Sequence, residues 1–164
     1  MSHTDMKMNS GGQKFQKRVM NPRVFKAYML GKAPLLGVTG AYLEHLDTHS
    51  GRLILPASRR VKNLFGSLFS AALLAGAETL TGALIVLHMR NQGKKLSPRV
   101  TTCSVETLDW EFSDLKLVAH DGERYADFVR RVAASGIKES ETFEVVASSG
   151  STLTHRISLT WTLE

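Results

Sequence analysis

The chain has 164 residues, 43% of them hydrophobic and 22% charged, which suits one globular domain with a sizeable core. Lysine and arginine number 21 against 15 acids, a net charge of +6 that favours anionic small molecules or acidic surfaces. The single cysteine, Cys103, excludes an internal disulfide and a thiolate zinc cluster and points to a reducing, cytoplasmic setting.

Residues 1–20 are polar and lack the apolar core of a signal peptide, so a disordered lead-in is expected there, with a single domain over 21–164. Asn21 and Pro22 predict the start of a short helix with Val24, Phe25, Tyr28 and Met29 on its apolar face and Gly31 at its end. Ala33-Pro34 is expected to break the chain, and Gly37 to open a strand region. Two alternating runs, 41–46 and 52–56, flank Asp47-Thr48-His49-Ser50-Gly51 and read as a hairpin.

The run from Leu64 to Leu87 is the most apolar part of the chain, and Glu78 is its only charged residue. It is long enough to span a bilayer, but three glycines and a central acid, costing about 2.5–3.5 kcal/mol on insertion, argue against a membrane span. A central soluble helix from Ser67, its expected cap, to Arg90 fits better. Ser67, Ala71, Ala75, Glu78 and Gly82 share one face of small side chains, where a sheet, a partner helix or a ligand could come close. Glu78 is then expected to be buried and to be catalytic, ligand-contacting, or neutralised by a partner.

Strands are expected over 99–108, 115–119, 143–147 and 152–162, with Ser148 to Ser151 joining the last two. An amphipathic helix over 121–134 interrupts them, capped by Asp121 and striped with Tyr125, Phe128, Val129 and Val132. In the last strand Leu153, Ile157, Leu159 and Trp161 should face inward and Thr152, Thr154, Arg156, Ser158, Thr160 and Thr162 outward. His45 and His155 alternate with apolar neighbours and read as core or hydrogen-bonded histidines. The fold class is α+β, an antiparallel sheet curled around one long helix. Basic residues are dispersed without interleaved aromatics, so nucleic acid is not an expected partner.

The stretch Arg60-Val61-Lys62-Asn63-Leu64-Phe65-Gly66-Ser67, running into Ala71 to Thr79 with its Ala77-Glu78-Thr79 triplet, resembles the hotdog-fold acyl-CoA thioesterase superfamily. The likeness is to its phenylacetyl-CoA thioesterase-like branch and that branch's little-characterised relatives, and it extends from about Val38 to the C-terminus, including the closing Ser158-Leu159-Thr160-Trp161. Where well-known members of that branch carry His-Gly-Gly, this chain has Phe69-Ser70-Ala71.

The resemblance implies a curved antiparallel sheet wrapped around one central helix. It also implies a homodimer or dimer of dimers (a homotetramer) with active sites between protomers. Glu78 would be the general base or nucleophile, with Asn63 orienting the loop or the water. Backbone amides around Gly66, Ser67, Phe69, Ser70 and Ala71 would polarise the thioester carbonyl, with Thr79 beside the substrate. Arg60 and Lys62 would hold phosphates of coenzyme A, part of the substrate; no cofactor and no metal are expected. The rival reading is a non-catalytic protein that binds acyl-CoA or another lipidic ligand.

Overall fold

A computed structural model describes residues 7–110 and 113–164. Three helices come first: α1 (Ser10–Val19), α2 (Pro22–Lys32) and α3 (Pro34–Thr39). The hairpin β1 (Tyr42–Leu46) and β2 (Gly51–Leu55) follows, then a 3-10 turn at Arg59–Val61 and the long helix α4 (Ser70–Asn91). The chain ends with β3 (Pro98–Thr107), β4 (Leu115–Ala119), α5 (Gly122–Ser135), β5 (Glu139–Ser149) and β6 (Thr152–Leu163). The six strands form one antiparallel sheet in the order β1-β2-β4-β5-β6-β3, wrapped around α4 as the resemblance implies.

The core lies between α4 and the concave face. Leu73, Ala77, Leu80, Leu84 and Leu87 of α4 are buried in one cluster with Leu53, Leu117, Val145, Ile157 and Leu159 of the sheet. Burial of this kind contributes roughly 1.5–3 kcal/mol for each large aliphatic side chain. Gly76 lets α4 sit close to β4, because a Cβ there would already be 3.2 Å from Leu117. By length and composition α4 could cross a membrane, yet half of its most apolar window is buried inside the protein as the core helix. Helix α5 buries its predicted stripe on the same side of the sheet, with Tyr125 stacked on Phe143 at 3.8 Å between ring centroids.

Several expectations are corrected. Part of the 1–20 lead-in is helical: Asn9 caps α1 through Gly12 N and also bonds Asn91, tying α1 to the end of α4. Residues 1–6 of that segment lie outside the described residues. Its polarity hid the helix, since Phe15 and Val19 are the hydrophobic residues of α1 that pack against the core. Asn21 caps α2 as predicted, but the helix runs past Gly31 to Lys32, and Pro34 starts α3 rather than a loop. Gly37 sits inside α3, where a Cβ would meet Leu30 N at 2.8 Å; glycine here permits a helix contact instead of opening a strand. The α4 N-cap position is Phe69, without a side-chain cap, and not Ser67. Asp121 occupies the α5 cap position but its side chain makes no capping hydrogen bond; its carbonyl accepts from Arg124 N at 2.8 Å.

In β6, Leu153 is 37% exposed and Thr154 fully buried, reversing the expected alternation there, and Thr162, expected outward, is buried with its hydroxyl on Ser140 Oγ at 2.7 Å. Ala147 pairs with His155 while Ser148 pairs with Leu153, so Thr154 is the extra residue of a β-bulge that shifts the strand's phase.

Candidate functional site

The small-residue face of α4 forms one wall of a cavity of about 510 Å³. Ala75, Glu78, Thr79, Gly82, Ala83 and Val86 line that wall, and Phe15, Val19, Phe25, Tyr28 and Met29 of the N-terminal helices stand across from them. Trp161 and the start of β3 close one side. The indole N–H donates to Thr81 Oγ1 at 2.9 Å, and Thr81 donates to the Ala77 carbonyl at 2.9 Å, which pins the ring. A Cβ on Gly82 would come within 3.2 Å of that ring, so the glycine gives the indole its place.

Glu78 departs from expectation: it is exposed, not buried. Its carboxylate has no ion-pair or hydrogen-bond partner among the described residues, so the structure does not neutralise it. The burial expected of it would require another surface to cover this face. Lys32 and Arg99 are the cations lining the cavity, and Arg99 also pairs with Glu164 at 3.2 Å. A side cavity of about 140 Å³ shares Phe15, Phe25 and Tyr28 and adds Arg18 and Arg90.

The loop before α4 is built by Asn63. Its Oδ1 accepts from Phe65 N at 2.9 Å and Ser67 N at 3.1 Å, and its Nδ2 donates to Ser67 Oγ at 2.8 Å. Gly66, with φ of +83°, completes the reversal that returns Leu68 beside Lys62. Asn63 therefore shapes the loop, one of the two roles expected of it. Leu64 and Phe65 at the tip are almost wholly exposed, and Phe69 is half exposed. Arg60 reaches the Val38 carbonyl at 3.5 Å, and neither it nor Lys62 lines the large cavity.

Ser67 and Ser70 instead line a small polar pocket with Leu68, Thr107, Asp109, Trp110 and His155. The structure thus separates the expected site into two groups. Glu78 and Thr79 face the large cavity; Ser67 and Ser70, with Phe69 and Ala71 between or beside them, mark the start of α4. Eight residues of helix put about 12 Å between Ser70 and Glu78 along one chain. The N–H groups of Ser70 and Ala71 have no acceptor among the described residues.

Sequence reasoning missed the contribution of α1 and α2 to the cavity, and of Lys32. The apolar spacing of Phe25 and Met29 shows a buried helix face but not what it faces. His155 was legible only as a histidine in an alternating strand.

A search of curated proteins found no match. Solved structures share the architecture. A Chlorobaculum tepidum protein of unknown function superposes with a TM-score of 0.70 at 14% identity, covering 88% of this chain and 97% of its own. A Pseudomonas aeruginosa protein of unknown function, described as a probable thioesterase, gives 0.69 at 19% identity over 90% and 98%. A Haemophilus influenzae thioesterase gives 0.62 at 11% identity over 92% and 94%. At these identities the likeness shows the fold. The structure has the hotdog fold of these neighbours, and a family model matches residues 21–161, so the chain belongs to the domain-of-unknown-function family DUF4442.

Proposed function

We propose that the protein hydrolyses an acyl thioester, carried on coenzyme A or an acyl carrier protein, with Glu78 as nucleophile or general base. The observation that supports this most is an unpartnered carboxylate on the wall of an otherwise apolar cavity. An acyl chain suits the aromatic and aliphatic lining, and Lys32 and Arg99 suit the anionic end of the carrier. The free N–H groups of Ser70 and Ala71 supply the oxyanion donors, a role that backbone amides fill whatever side chains replace His-Gly-Gly.

Because Glu78 and those donors lie about 12 Å apart on one helix, the working unit in this reading is a homodimer. Two α4 helices running antiparallel would set one copy's carboxylate near the other's helix start and cover Glu78.

The test is release of free thiol from short, long and aromatic acyl-CoAs, corrected for the exposed Cys103. Glu78→Gln should lower turnover about 10²-fold or more, the scale of a lost base or nucleophile. Equal turnover in the variant would remove Glu78 from the chemistry. Binding of intact acyl-CoA without turnover would make the protein a carrier.

A further inference from the structure

The bulge in β6 has a chemical consequence for the pocket at the start of α4. Thr154 is fully buried, and its hydroxyl donates to the Ala147 carbonyl at 3.0 Å. A hydroxyl has one proton, so toward His155 Nδ1, 3.0 Å away, the same oxygen acts as acceptor. The ring is therefore held as the Nδ1–H tautomer, and Nε2 carries a bare lone pair. His155 is only 5% exposed, and Nε2 has no hydrogen-bond partner among the described residues. Burial favours the neutral ring and lowers its pKa; the nearby Asp109 carboxylate opposes this without reversing it.

The pocket that this ring lines with Ser67, Ser70, Thr107 and Asp109 measures about 20 Å³. One water needs about 10–15 Å³ and two or more polar partners, so the pocket has the size and the polar lining for a single water. The donors of the α4 N terminus stand beside it.

We propose that this pocket holds the hydrolytic water and that His155 is the base that activates it. The assignment rests on the thioesterase reading and gives Glu78 the nucleophile's role. In the proposed dimer, Glu78 of the other copy attacks the thioester carbonyl beside this pocket, the C–S bond breaks, and the thiolate leaves and takes a proton from solvent. Water then attacks the carbonyl of the resulting anhydride and gives its proton to Nε2. The C–O bond to Glu78 breaks, freeing the acid and the carboxylate, and the imidazolium returns its proton to solvent. The link from Nδ1–H through Thr154 to Ala147 fixes the tautomer, as the carboxylate does in a hydrolase triad.

Pre-steady-state thiol release tests the assignment. His155→Gln should keep a burst of up to one thiol per site while steady turnover falls about 10²-fold. Thr154→Val, which keeps the bulk but loses the acceptor, should show the same pattern more weakly, while Glu78→Gln should lose the burst as well. Circular dichroism checks that each variant is folded. Unchanged steady turnover in folded His155→Gln would overturn the role. Nitrogen NMR of the wild-type ring at neutral pH separates this from the function itself: a neutral Nδ1–H ring is expected, and an Nε2–H ring would refute the site even if no thioester were cleaved.

Discussion

Three buried side-chain atoms, Ser58 Oγ, His88 Nε2 and Tyr125 OH, have no hydrogen-bond partner among the described residues. For Tyr125 burial drives the phenol pKa far up, so the hydroxyl stays neutral and unsatisfied while the ring stacks on Phe143. Tyr125→Phe keeps the stack and removes the stranded group. Urea unfolding should show the variant equal to or about 1 kcal/mol more stable than wild type. A loss of stability would mean that the hydroxyl is satisfied by something not in the chain. His88 behaves differently, because burial lowers its pKa from 6.5 to about 4. Between those values the unfolded chain binds a proton that the folded chain refuses, so stability is full above pH 6.5 and falls as the pH drops toward 4. The loss at the foot of that window should be on the order of 3 kcal/mol. Denaturation curves across the window, with His88→Gln as a flatter reference, measure it; an equal slope in the variant would assign the effect elsewhere.

At the scale of elements, close approach decides more than propensity does. Gly122 opens α5 with its N–H on the His49 carbonyl at 2.9 Å, and a Cβ there would lie 2.0 Å from the Thr48 carbonyl oxygen. Gly122→Ala should therefore cost about 3 kcal/mol or more by forcing α5 off the β1–β2 turn, although alanine is the better helix former. A thermal midpoint close to wild type would show that the turn gives way. The elements best anticipated from sequence were those with clear period and punctuation: the β1–β2 hairpin, β4, the stripe of α5 and the Asn21-capped α2. Less legible were α1 and α3, which have few apolar residues or depend on a contact. Gly37 reads as a strand opener until Leu30 is seen against it.

For the molecule as a whole, the outer edge of β3 is the telling feature. It is ten residues long, mostly exposed, and has no strand partner on that side among the described residues. A long bare edge invites pairing, and in the dimer proposed above a second copy covers it. Sedimentation equilibrium should give twice the monomer mass. Thr102→Lys, near the middle of β3, would set like charges across such a pairing and shift the protein toward monomer, with loss of thiol release from a folded chain. A wild-type monomer at assay concentration would sink both the dimer and the composite site.

Sequence by itself determined the class of fold, because periodicity reports which residues must leave water, and it marked Glu78 as the charge out of place. It also identified the small-residue face of α4, since spacing along a helix is local geometry. Only the tertiary structure decided what that face meets: a cavity walled by α1 and α2, with Glu78 exposed rather than buried. The same holds for His155. Its tautomer follows from a one-residue bulge and from where Thr154 sends its single proton. Both are matters of strand register across 7 residues of hairpin, which no local pattern of hydrophobicity encodes.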